Sequence, residues 1–201
     1  MAATLAFWYD FASTYSYPAA MRIERAAAAA GIHLEWRPFL LGPIFKAQGW
    51  TDSPFNLYPA KGQYMWRDLA RICARNDLPW HRPSVFPRNS LLAARIALLA
   101  EEQGWCGACS RAIYSANFAE DRDIARPEVI GDIVAALGRD AASLIAAAAS
   151  PGIKDKLRAQ SDAAIALGIF GAPSFTVGGE IFWGNDRLDE ALDCAAGRGA
   201  R

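Results

Sequence analysis

The segment Ser13-Thr14-Tyr15-Ser16 places two serine hydroxyls three positions apart, one alanine beyond the apolar run Leu5 to Phe11. A strand that turns into a helix there brings free backbone N–H groups and the positive end of the helix dipole to one point. Such a point favours an anion, a thiolate included. Serine has no sulfur of its own, but its O–H can donate to a sulfur anion that a ligand brings. No residue pattern offers Ser13 a general base, so it reads as a donor and not as a nucleophile. The same serines would serve equally as helix caps, and spacing alone leaves both uses open.

A second segment, Phe170-Gly171-Ala172-Pro173-Ser174-Phe175, precedes a hairpin signal. Proline is allowed at the first position of a strand, and Gly171 supplies backbone freedom. A cis bond before Pro173 would turn the N–H and C=O of Ala172 outward to pair with a peptide. Only about one X-Pro bond in twenty is cis, and an ordinary strand start fits the pattern too. His33 and His81 are far apart in sequence, and His33 falls on the polar face of a strand, so no metal site is expected.

Periodicity indicates the elements that must position these residues. Leu5 to Phe11 reads as a buried strand. Pro18 sits where a helix start tolerates it, the run to Ala30 favours helix, and Gly31 follows as a C-cap. Ile32, Leu34 and Trp36 then alternate with His33, Glu35 and Arg37, the period of a half-buried strand. A crossover of that length makes the two strands parallel. Residues 43–59 have loop composition. Residues 62–167 read as almost wholly helical, with Ser150-Pro151 opening the last long helix and Gly168 ending it. Ser174–Val177 and Glu180–Trp183 flank Gly178-Gly179, a two-residue hairpin signal. Asn185 or Asp186 is placed to cap a final helix, 187–196. The order is βαβ, a helical block, then ββα: an α/β chain with the elements of a four-stranded thioredoxin-like unit.

Hydrophobic residues make up 53% of the chain and charged residues 21%, enough to bury a core. Lys+Arg and Asp+Glu balance at 21 each, which leaves no basic footprint for nucleic acid or an anionic membrane. The first residues lack a basic start and Asp10 breaks the apolar run, so no secretory signal is expected. No apolar stretch is long enough to span a bilayer. The expected location is cytoplasmic, with the four cysteines reduced.

Four motifs come in one order: S-x-x-S after the first strand, P-A-K-G-Q-Y-M at 59–65, F-G-A-P-S-F at 170–175 and W-G-N-D-R-L at 183–188. Together they resemble the 2-hydroxychromene-2-carboxylate isomerases, relatives of kappa-class glutathione transferases and of the bacterial disulfide oxidoreductase DsbA. The resemblance runs nearly the whole chain, to Ala196. It implies a thioredoxin-like fold with an inserted all-helical domain: residues 1–58 and 166–201 as the discontinuous thioredoxin-like domain, 59–165 as the insertion. It also implies glutathione as cofactor, with Ser13 on its sulfur, Ala172 beside Pro173 on its backbone, and Lys61 reaching the tripeptide. Trp183, Gly184, Asn185 and Asp186 would hold the γ-glutamyl end. Asn56 and Phe86 match substrate-side positions, and Tyr15 joins them as Ser13's neighbour. The family often has proline after its first serine; Thr14 stands there instead and makes the turn less rigid.

The implied reaction interconverts 2-hydroxychromene-2-carboxylate and trans-o-hydroxybenzylidenepyruvate, a step in naphthalene-type degradation, through transient thiolate addition. A small aromatic acid is then the substrate, and a homodimer is implied by analogy. Three readings compete: a kappa-type conjugating transferase, a DsbA-like oxidoreductase and a non-catalytic glutathione- or peptide-binding module. Cys106-Gly107-Ala108-Cys109, after Gly104-Trp105, imitates the W-C-G-x-C of thioredoxins. That motif belongs after a strand, whereas here it follows a helical pattern. Cys73 and Cys194 supply no second C-x-x-C, so neither redox chemistry nor zinc is expected from the pair.

Overall fold

The computed structural model describes residues 3–198. The extreme ends of the expected thioredoxin-like domain, 1–2 and 199–201, lie outside the described residues. Strand β1 (Thr4–Tyr9) leads through helix α1 (Ser16–Ala30) to β2 (His33–Pro38). Helices α2 (Leu41–Ala47), α3 (Pro54–Leu57), α4 (Pro59–Arg75), α5 (Leu91–Glu102) and α6 (Cys106–Phe118) follow. Then come α7 (Pro127–Ala136), α8 (Ala141–Ala148), α9 (Pro151–Ala166), β3 (Ser174–Val177), β4 (Glu180–Trp183), a 3₁₀ turn (Asn185–Arg187) and α10 (Leu188–Ala195). No described helix is long and apolar enough to cross a membrane.

The sheet order is β2-β1-β3-β4, with β2 parallel to β1 and the other pairs antiparallel. From Leu5 to Tyr9 β1 is apolar, because both its faces are covered there. Leu5, Phe7 and Tyr9 enter the main core with Ile23, Ile96 and Ile113, while Trp8 packs with Phe39, Ile44, Ala164 and Ile169 on the other side. In register, Phe7 faces Trp36 on β2 and Phe175 on β3. Phe7 meets Trp36 edge-on at 5.3 Å and stacks on Phe175 at 5.5 Å.

This line of rings continues into the helices. Phe7 stacks on Tyr9, Tyr9 packs on Tyr114, Tyr114 on Phe118, Phe118 on Trp80, Trp80 on Trp66 and Trp66 on Phe86. The main core therefore runs without a break from the sheet through α5, α6 and α7 to α8.

Local signals account for several boundaries. Gly31 takes φ 67°, and the bonds Gly31 N–H to Ala28 O and Ile32 N–H to Ala27 O close the helix end as a Schellman motif. Gly178 and Gly179, at φ 55° and 96°, make the hairpin turn. Ser150 caps α9 by accepting from Ile153 N–H.

Other expectations are corrected. The first strand ends at Tyr9 and not at Phe11, because Asp10 turns the chain. Residues 43–59 are not a plain loop: α2 carries Pro43 within its first turn, and α3 starts on Pro54 behind a Ser53 cap. The helical block is broken at 76–90. That stretch is fastened by Arg88, whose buried guanidinium donates to Asn117 Oδ1 (2.9 Å) and Arg122 O (3.0 Å) and pairs with Asp121. Neither Asn185 nor Asp186 caps α10 through its side chain; they form the 3₁₀ turn before it.

Cys106 opens α6 behind α5, and Cys106, Cys109 and Cys73 are free and buried. Burial pushes the Cys106 thiol up to about 11 and raises Cys109 as well. These are packing sulfurs and not reactive ones. A thiol reagent applied to the native protein should modify the half-buried Cys194 and spare the other three until denaturant is added. Fast native labelling of Cys106 or Cys109 would show this part of the core to be open. In the P-A-K-G segment, a Cβ on Gly62 would collide with the Phe55 carbonyl oxygen. Gly62→Ala should therefore lower the unfolding free energy by about 1–3 kcal/mol, measurable by urea denaturation.

Candidate functional site

A cleft of about 1600 Å³ opens where β1 gives way to α1. Its centre is built by Asp10. This buried carboxylate accepts from Ala12 N–H (2.9 Å), Leu41 N–H (2.7 Å) and the Ser90 hydroxyl (2.6 Å). Burial raises its pKa, and the three hydrogen bonds oppose that rise. The Asp10 carbonyl accepts from Ser13 N–H (2.9 Å) and the Tyr114 hydroxyl (2.9 Å). One residue thus sets the curl of the turn that presents Ser13.

Ser13 Oγ–H donates to Ala172 O at 2.8 Å across 159 positions of sequence, and Ser13 Oγ accepts from Ser16 N–H at 3.3 Å. The capping role and the cleft-facing role coexist in one side chain. The N–H groups of Thr14 and Tyr15 have no acceptor among the described residues. They lie at the positive end of α1, in a setting suited to an anion. The Ala172–Pro173 bond is cis. Pro173 O accepts from Gly184 N–H at 2.9 Å, which ties the W-G-N-D segment to the turn holding Ala172.

Ser13, Tyr15, Lys61, Phe86, Ala172, Pro173, Trp183, Gly184, Asn185 and Asp186 all line this one cleft. Asn56 does not line it. Its amide donates to Asp52 Oδ2 (3.0 Å) and to Phe86 O (3.1 Å), holding the rim segment that carries Phe86. His33 and His81 stand exposed outside it, and no metal-binding cluster occurs among the described residues.

Two kinds of surface meet at Ser13. One is polar and charged: Arg22, Asp68, Asn185, Asp186 and Asp189. Arg22 donates to Asn185 O (2.6 Å) and to Asp189 (3.1 Å), and so fastens the 3₁₀ turn to α1. The Asn185 Oδ1 atom is buried without a partner in the described structure. Gly184, at φ 117°, gives this turn a backbone shape that a Cβ would strain. The other surface is apolar: Leu41, Phe45, Trp50, Phe55 and Phe86. Tyr15 stands between them, its hydroxyl donating to Asp68 Oδ2 at 3.1 Å and its ring 6.1 Å from Phe55. Burial, and then the Asp68 charge, hold its phenol well above the usual range.

Phe170 and Trp183 pack together at 4.9 Å on the rim, and both are about half exposed. Gly171 permits this, because a Cβ there would overlap Trp183 Nε1.

Sequence reasoning missed Asp10 and Arg22. Asp10 registered only as a break in an apolar run. A carboxylate trapped between a buried strand and a turn is itself a signal, because such a charge must be hydrogen-bonded. Arg22 carries no sequence signal: its partners lie 163 and 167 positions away.

Residues 4–194 match the model of the DSBA-like thioredoxin domain. The 2-hydroxychromene-2-carboxylate isomerase of Sphingobium xenophagum is 31% identical over 191 residues, covering 94% of this chain and 96% of that one. Human glutathione S-transferase kappa 1 is 29% identical over 200 residues, covering 92% and 88%. The solved structure of a 2-hydroxychromene-2-carboxylate isomerase superposes with a TM-score of 0.84 at 25% identity, over 97% of this chain and 95% of that one. The chain belongs to the DsbA-like thioredoxin-domain family, alongside the 2-hydroxychromene-2-carboxylate isomerases.

Proposed function

We propose that this protein is a glutathione-dependent isomerase of 2-hydroxychromene-2-carboxylate and trans-o-hydroxybenzylidenepyruvate, acting in aromatic hydrocarbon breakdown. The observation that carries the reading is the meeting of Ser13 with Ala172 at 2.8 Å, an alcohol at a helix N-terminus beside a backbone segment that lines the same cleft. The site's chemistry suits the tripeptide. Asn185 Oδ1 is a buried acceptor without a donor, as an ammonium group requires, and Asp186 adds a carboxylate beside it. Lys61, with its ammonium over the Tyr58 ring, stands ready for a carboxylate.

When bound, glutathione supplies a sulfur nucleophile whose reversible addition turns the enone double bond into a single bond free to rotate. The chain's part is to hold that sulfur as an anion. An ordinary thiol titrates near about 8.5, and lowering this by about two units takes roughly 2.7 kcal/mol. A charge-assisted bond from Ser13, with the α1 dipole and the free N–H groups of Thr14 and Tyr15, supplies a term of that size. Phe45, Trp50, Phe55 and Phe86 offer flat apolar surface to an aromatic acid. A disulfide exchange role is disfavoured, since serine holds both positions of S-x-x-S and the cysteines of α6 are sealed.

Ser13→Ala should lower glutathione-dependent isomerisation roughly 10²-fold while the thermal midpoint moves by only a few degrees. Full activity in a folded variant would refute the assignment, and steady build-up of a thioether product would replace it with a conjugating transferase. The double variant Cys106→Ala/Cys109→Ala should keep its turnover. Loss of activity in that protein, still folded, would return the C-x-x-C pair to the mechanism.

A further inference from the structure

The geometry points to a coupled exchange at Ser13 and Ala172 that selects a cysteinyl peptide over a simple thiol. It rests on the glutathione reading and adds what releases the donor hydroxyl. A hydroxyl has one proton. In this structure that proton is already given to Ala172 O at 2.8 Å, and Ser13 Oγ itself accepts from Ser16 N–H at 3.3 Å. What remains of Ser13 toward the cleft is a lone pair, the wrong polarity for a sulfur anion. The hydroxyl must turn before it can help.

If it turns alone, the half-buried Ala172 carbonyl loses its donor, and an unpaired acceptor in such a place is costly. A peptide lying along Ala172 removes that cost. Its cysteinyl N–H donates to the Ala172 carbonyl. Ala172 N–H, which has no acceptor among the described residues, donates to a carbonyl of the peptide. Ser13 then passes its proton contact to sulfur, where the charged acceptor makes a stronger bond than the carbonyl it left. The thiol proton goes to water, and every donor and acceptor stays paired. A thiol without an adjacent N–H leaves the carbonyl bare and gains less. The carbonyl of Ala172, acting through Ser13, thus tests for the amide before the sulfur is activated.

Two measurements decide. The sulfur-free tripeptide γ-Glu-Ala-Gly keeps the amide, and by calorimetry it should bind Ser13→Ala about two- to tenfold more tightly than the unsubstituted protein, because the carbonyl is no longer occupied. Glutathione, titrated above its thiol pKa, should bind the same variant about tenfold more weakly. Weakening of both ligands, or unchanged γ-Glu-Ala-Gly binding, overturns the exchange. On the unsubstituted protein, glutathione methylated at its cysteinyl nitrogen should show, by thiolate absorbance, a bound thiol pKa at least about one unit above that of glutathione. Equal values overturn the exchange while leaving the glutathione reading intact. Glutathione that binds no better than 2-mercaptoethanol overturns both.

Discussion

Asp10 places a carboxyl group inside the molecule, and three segments far apart in sequence turn toward it. Ala12 N–H comes from the strand-to-helix turn, Leu41 N–H from the start of α2, and the Ser90 hydroxyl from the residue before α5. A buried charge is tolerated only where donors surround it. Satisfying this one group therefore fixes where three pieces of the cleft begin. Its own carbonyl completes the arrangement by holding Ser13 N–H and the Tyr114 hydroxyl.

From that anchor the two sides of the cleft acquire opposite characters. Arg22 draws the 3₁₀ turn onto α1, so the residues proposed to hold the γ-glutamyl end keep a fixed relation to Ser13. Across the cleft, α2 and the chain after it bring Phe45 and Trp50 together at 5.4 Å, and Arg88 pins the segment that carries Phe86. Polar recognition and apolar packing are divided between separate stretches of chain, with the serine turn at their junction.

How much of this is legible in the sequence depends on the range of the interaction. The strands at Leu5 and Ile32, the Gly31 cap, the Gly178-Gly179 turn and the Ser150-Pro151 start are local events, and the residues within a few positions decide them. Short helices such as α2 and α3 escape because proline and glycine read as loop, although proline is comfortable in a first helical turn. The break at 76–90 escapes for a different reason. Apart from Ser84, Arg88 finds its partners on and beyond α6, and no window around Arg88 contains those. The motifs of the site were readable as motifs, but the contact between Ser13 and Ala172 was not, since two distant segments must fold before it exists. The C-x-x-C pattern could be set aside from its place after a helical run, but the burial of both thiols within α6 is a tertiary fact that the spacing does not carry.

The line of rings from Phe175 through Phe7, Tyr9, Tyr114, Phe118, Trp80 and Trp66 to Phe86 joins the strand after Pro173 to the far rim of the cleft. Opposite banks of the opening are in this way facets of a single solid, packed to the density of a core. The gap between them is a dimension set by the girth of these rings, which are buried from Phe175 to Phe118 and partly exposed at Trp80, Trp66 and Phe86. Descendants of this sequence can accordingly widen or narrow what they admit by exchanging interior rings, while every residue that greets the incoming molecule stays as it was.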